Sequence, residues 1–280
     1  MSAAVLIDGA TLAARLGDAG VRIFDCRHDL AKPALGAQQY AQAHLPGALH
    51  AHMDHDLARH GDVSNGRHPL PTPEAFAAWL GRQGVRPEDH VVAYDAGGGT
   101  SAARLWWMLR WMGHAKVSVL DGGIAAWVAE GRPVTAEVAA FPKSAYPVAP
   151  RAALAVDVGT VESHLRDGSM LILDARAAAR FRGESEPIDP VAGRIPGSRN
   201  RFCGENLDGG RFKPAAQLRK EFEAVLDGTP PSQVVHSCGS GVAACHNALA
   251  MEIAGLPGSR VYPGSWSEWI ADPGRPRETG

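Results

Sequence analysis

Cysteine is scarce in this chain: four in 280 residues, at positions 26, 203, 238 and 245. None forms a C-x-x-C pair or stands at a metal-ligand spacing from a histidine, so no disulfide framework or zinc site is legible and free thiols are expected. Long runs of one charge are also missing. Lysine and arginine total 28 against 30 aspartates and glutamates, a formal charge of −2, and no basic stripe suited to a phosphate backbone stands out, which argues against nucleic acid as a partner. No apolar run approaches the ~20 residues that span a bilayer. The opening MSAAVLIDGATLAARLGDAG has neither the basic start nor the apolar stretch of a signal peptide, so a cytoplasmic protein without membrane contact is expected. Nothing signals a metal or an organic cofactor.

What the chain does have is an internal repeat. VRIFDCRHDL, AHLPGALH, HVVAYDAGGGTSAAR and SVLDGGIAAW in the first half are matched in order by LILDARAAARF, GRIPGSRN, QVVHSCGSGVAACH and RVYPGSWSEW in the second. Residues 132–150 between them carry four prolines and no helical period. The expected domains are therefore 1–135 and 151–280, joined by a linker over 136–150.

Each copy alternates short β-branched runs with helical patterns, the signature of an α/β fold with a mainly parallel sheet flanked by helices. Strands are expected at Val21–Phe24, Val91–Tyr94 and Val117–Leu120, and again at Leu171–Leu173, Val234–His236 and Arg260–Tyr262. Helix starts are expected at Thr72-Pro73-Glu74 and Lys213-Pro214-Ala215. Ligands of such sheets bind beyond the carboxyl ends of the strands, and Cys238 lies at one of these ends.

In VVHSCGSGVAACHNA the strand is expected to pass into a helix starting near Gly241 or Val242 and stopping at Gly255. Gly239 and Gly241 leave the backbone N–H groups open to converge on one point, and the helix dipole adds positive potential there. Such a turn favours a thiolate, the reactive form of cysteine. The plain alternative for Cys238 is a small buried hydrophobe, which is the expected reading for Cys26, Cys203 and Cys245. A cysteine phosphatase would need an arginine six positions after the nucleophile, where Ala244 stands. GSGVAA fits a dinucleotide fingerprint on paper, but it is not on the first strand of its unit and no acidic residue follows at the required distance. Gly97-Gly98-Gly99 as a phosphate loop is weak as well. Sulfur transfer, in which a thiolate takes a sulfur atom and becomes a persulfide, needs no arginine in the loop.

The tandem arrangement, CGSGV, DARAAARFRG, GRIPG and GSWSEW together resemble the two-domain rhodanese-type sulfurtransferases, the group of thiosulfate and 3-mercaptopyruvate sulfurtransferases. The resemblance covers nearly the whole chain. It implies two rhodanese-like domains, the first inactive, since Asp95 fills the position of Cys238. Within the family CGSGV, Cys238 to Val242, is similar to the mercaptopyruvate pattern, whereas thiosulfate enzymes carry basic residues after the cysteine. The resemblance implies Arg180 as a substrate arginine, Arg176 as the arginine near the loop, and Gly239, Gly241 and Val242 as the cradle. A second carboxylate-binding arginine is not evident in GESEPIDPVAG, so Arg182 or Arg194 is the expected substitute. A Ser–His–Asp relay across the two domains would use Ser240, His68 and Asp56, with Asp54 a rival for the last place and a packed loop histidine the alternative for His68. The implied partners are a small-molecule sulfur donor and a thiol or cyanide acceptor, thioredoxin among the thiols. Three positions depart from the family pattern: Arg194 replaces a histidine, Ser237 an aromatic residue and Pro263 an acidic one. They leave open a non-enzymatic persulfide or anion-binding module. Trp266 and Trp269 are expected to be packing residues.

Overall fold

The computed structural model describes residues 4–59 and 63–280. The chain divides into two compact units, one made of Met1–Arg59, Leu70–Arg151 and Gly209–Phe212, the other of His60–Pro69, Ala152–Asp208 and Lys213–Gly280. This division differs from the one expected from sequence. The segment 136–150 packs within the first unit: the Ser144 N–H donates to the Gly81 carbonyl at 2.9 Å, the Tyr146 hydroxyl meets His114 Nδ1 at 2.8 Å, and the Arg22 guanidinium lies 4.1 Å over the Phe141 ring. A proline-rich stretch without helical period can still bury its aromatic side chains. Residues 60–69 and 209–212 are each grouped away from their chain neighbours, a feature with no local sequence signal.

In the first unit five parallel strands lie in the order Leu6–Ile7, Val117–Leu120, His90–Tyr94, Val21–Asp25, Ala48–His50. The second unit repeats the arrangement with Arg260–Val261, Val234–Ser237, Leu171–Asp174 and Arg199–Asn200. The six expected strands are present, each within a residue at either end. The short strands Leu6–Ile7, Ala48–His50 and Arg199–Asn200 were too brief to show a period. The central strands are covered on both faces, which is why they read as continuous apolar runs.

Thr72 caps Pro73–Arg82 by accepting the Ala75 N–H at 3.2 Å, and Ala215–Leu226 follows Pro214. The helices Thr100–Trp111 and Val242–Ile253 leave the central strands through a left-handed glycine, Gly99 in one and Gly241 in the other. Tyr94, Leu12 and Trp127 anchor the first core; Ile172, Val235, Trp266 and Trp269 anchor the second. No described helix is long and apolar enough to cross a membrane.

His236, on the strand leading to Cys238, is fully buried and neither ring nitrogen has a hydrogen-bond partner. Burial pulls its pKa down to about 3, so the imidazole is neutral in the folded chain. The unfolded chain takes up a proton below about pH 6.5 that the folded chain refuses until near pH 3. This contribution to stability is therefore complete above pH 6.5 and is lost at about 1.4 kcal/mol per pH unit as the pH falls from there. His236→Leu should flatten that slope, gaining about 2 kcal/mol over the parent at pH 5 relative to pH 7 in urea titrations. An unchanged slope would mean that His236 is not the residue responsible.

Candidate active site

The strand Val234–Ser237 delivers Cys238 to the carboxyl end of the second sheet, and four residues later the helix Val242–Ile253 begins. Cys238 is 3% exposed. Gly241, with φ of 79°, turns its N–H to Cys238 Sγ at 3.1 Å. The rest of the loop is pinned to the segment after the last strand. The Cys238 N–H donates to Ser265 Oγ at 3.1 Å, the Trp266 N–H to the Cys238 carbonyl at 3.0 Å, and the Ser267 N–H to the Gly239 carbonyl at 2.9 Å. Ser265 holds a φ of 53°, rare for a serine, in making this contact. The loop is thus rigid, and an anionic sulfur at position 238 meets a backbone N–H and the positive end of a twelve-residue helix.

The first unit shows what this turn does when cysteine is absent. Asp95 sits at the matching strand end, and its two carboxylate oxygens accept N–H bonds from Gly97, Gly99, Ser101 and Ala102 at 2.9–3.3 Å. Burial pushes the Asp95 carboxyl up, against those four donors. The repeated turn is an anion nest, filled here by the chain's own carboxylate.

Ser240 and His68 are brought together as the sequence reading expected: Ser240 Oγ and His68 Nδ1 share a hydrogen bond of 2.7 Å, with both residues buried. His68 belongs to the His60–Pro69 segment grouped with the second unit. Asp56 lies in the first unit, where its Oδ2 accepts the His52 N–H at 2.8 Å.

Arg180 reaches the cysteine loop. A methyl group placed on Gly239 would lie 3.4 and 3.7 Å from Arg180 Nη2 and Nη1. Glu186 orients this arginine with bonds to Nε at 3.0 Å and Nη2 at 2.7 Å. Burial works against ionisation of Glu186, yet Arg180 and the N–H groups of Asp189 and Ile188 hold its pKa below the usual carboxylate range.

The other arginines expected near the site are engaged by groups of their own. Arg176 is buried and grips Asp174 through Nε and Nη2, bonds the Gly193 carbonyl at 2.8 Å, reaches Glu186 at 3.4 Å and lies 5.0 Å over the Trp266 ring. Arg27 in the first unit does the same with Asp25 and the Ala43 carbonyl, in a unit whose matching loop carries Asp95 in place of Cys238. The same contact forms beside a loop that carries aspartate, and Arg176 braces the strand end. Arg194 is spent on the carboxyl-terminal segment: it donates to the Gly280 carbonyl at 2.6 Å, pairs with Glu278 at 3.4 Å and covers the Phe181 ring. Arg182, the other substitute, is exposed and paired with Glu184. The residue that the sequence reading missed is Arg67. Its Nη2 would lie 2.9 Å from a Gly239 methyl group, and its Nη1 pairs with Asp189. Its place in GRHP, one residue before His68, was the available clue.

Of the departures, Pro263 presents its carbonyl and Cα directly to Gly241, and Ser237 is buried with its hydroxyl unpartnered. Trp266 and Trp269 are core residues, as expected, with indole N–H groups on the Val191 and Pro276 carbonyls.

Comparison with known proteins agrees with this arrangement. The rhodanese-like domain family matches residues 8–130 and again 157–272. The chain is 46% identical to a Pseudomonas aeruginosa protein named probable 3-mercaptopyruvate sulfurtransferase, covering all of both. It is 36% identical to thiosulfate/3-mercaptopyruvate sulfurtransferase 2 of Arabidopsis thaliana, over 95% of this chain and 84% of that one. The structure of 3-mercaptopyruvate sulfurtransferase from Leishmania major aligns with a TM-score of 0.83 at 32% identity, covering 95% of this chain and 74% of that one. Two like-built sheets, each matched by the same family and one ending in a cysteine, make this chain a member of the rhodanese family, a tandem two-domain sulfurtransferase.

Proposed function

We propose that the chain moves sulfur from 3-mercaptopyruvate through a Cys238 persulfide to cyanide or a thiol, a protein dithiol such as thioredoxin included. The observation that carries this reading is the hydrogen bond between Ser240 and His68, one residue beyond Gly239 from the nucleophile. A thiol donor must lose a proton and its departing carbon must gain one, and a hydroxyl tied to an imidazole is suited to both.

In the proposed step the Cys238 thiolate attacks the donor sulfur, and the sulfur–carbon bond breaks with its electron pair leaving on carbon. The enolate of pyruvate takes the proton that the thiol gave up, and Cys238 keeps the sulfur as a persulfide anion. The Gly241 N–H that now faces Sγ and the helix start stabilise the negative charge. An acceptor nucleophile then attacks the outer sulfur and returns Cys238 to thiolate. Asp56 is carried as the acidic member of the relay, tested by Asp56→Asn.

Thiosulfate has no thiol proton to remove. Ser240→Ala should therefore lower kcat/KM with 3-mercaptopyruvate on the order of 10²-fold and with thiosulfate far less, measured as pyruvate or thiocyanate release. Equal losses on both donors would remove the relay from the mechanism. Sulfur loading without turnover in the parent protein would favour a persulfide-binding module instead.

A further inference from the structure

The cysteine loop faces two guanidinium groups, not one. Arg67 Nη2 and Arg180 Nη2 lie 2.9 and 3.4 Å from the point where a Gly239 methyl group would be, so both border the open side of the residue between Cys238 and Ser240. One carboxylate spans them: Asp189 Oδ1 pairs with Arg67 Nη1, and its Oδ2 meets Arg180 Nη2 at 3.2 Å. Asp189 is itself buried, and burial pushes its carboxyl up, opposed first by Arg67. The Arg67 N–H also donates to Ser267 Oγ at 3.1 Å, fixing the segment that carries the arginine.

Charge then decides what this edge can receive. Arg67 and Arg180 are balanced by Asp189 and Glu186, while Arg176 is balanced by Asp174. The edge offers directed N–H donors with almost no net positive charge. A singly charged carboxylate can use such donors, but a dianion meets two nearby carboxylates without a compensating excess of cation.

We propose that Arg67 is the second substrate-binding arginine of this enzyme, and that Asp189, by spanning Arg67 and Arg180, sets the preference for a monoanionic over a dianionic sulfur donor. The proposal rests on the persulfide reading above and deepens it. Arg67 takes the place of the second arginine that is not evident after Arg180 in GESEPIDPVAG.

The test compares kcat/KM for thiosulfate and 3-mercaptopyruvate in the parent, Asp189→Asn and Arg67→Ala, with intact mass recording sulfur on Cys238 for each donor. Asp189→Asn should raise the thiosulfate to mercaptopyruvate ratio about tenfold or more, since it removes one negative charge from the edge. Arg67→Ala should move the ratio the other way, because it leaves the carboxylates in excess. Opposite shifts are a signature that general damage to the loop would not give. If sulfur still loads on Cys238 and both variants leave the ratio unchanged, the clamp is wrong and the persulfide reading stands. If the parent takes up no sulfur from either donor, both fail. Should Asp189→Asn not fold, the Arg67→Ala shift alone decides, with Arg67→Lys expected to restore the ratio in part.

Discussion

Cys238→Ser should take up no sulfur atom from either donor and should lose turnover by a factor on the order of 10⁴ or more. Serine keeps the size and the N–H contact of the side chain, but its oxygen is a poor nucleophile toward sulfur and cannot form a persulfide. The other thiols offer no bypass. Burial holds the Cys26 thiol well above its ordinary range and pushes that of Cys203 up to about 12. Cys245 donates to the Gly241 carbonyl at 3.2 Å from inside the helix. Intact mass after incubation with 3-mercaptopyruvate reads the outcome directly, and a serine variant that still gains one sulfur atom would place the chemistry elsewhere.

The second large effect is expected at Gly241. Its φ of 79° alone would cost an alanine about 1–2 kcal/mol. The greater cost is steric: an added methyl group would lie 2.2 Å from the Pro263 carbonyl oxygen and 2.9 Å from its carbonyl carbon and Cα. Those are backbone atoms and cannot swing aside, so the loop must shift and carry the N–H away from Sγ. Gly241→Ala should lose roughly 3 kcal/mol or more of stability and at least about 10²-fold in kcat/KM. Gly197→Ala provides the control, since it has a φ of 71° with nothing within 4 Å of the added methyl. It should cost only about 1 kcal/mol and leave turnover intact. Similar losses at the two sites, by urea titration and by initial rates, would show that the Pro263 contact is not what fixes the loop.

Several of these features were legible before any coordinates. Strands buried on both faces leave continuous apolar runs, so Val21–Asp25, Val117–Leu120 and Val234–Ser237 could be located from residue type alone. The glycine-spaced turn into Val242–Ile253 is local geometry, set by neighbours in the chain, and so is the matching turn at Asp95. The domain limits were harder. Proline content suggested a linker over 136–150, but Phe141 and Tyr146 pack against Arg22 and His114. Nothing local marks which unit a short segment will join.

The arginines show the division most clearly. By itself the sequence determined the repeat, the α/β class and the cysteine-bearing turn, because each depends on residues within one strand–turn–helix unit. It gave Arg180 as the substrate arginine, Arg176 as the arginine near the loop and Arg182 or Arg194 as a substitute for the second, but not what holds each, since an arginine's role depends on which acid occupies it. Only the tertiary structure decided that Arg176 and Arg194 are held by Asp174 and Glu278, while Arg67 joins Asp189 from 122 positions away. Such pairings are fixed by how distant loops pack, and a one-dimensional pattern carries no record of that distance.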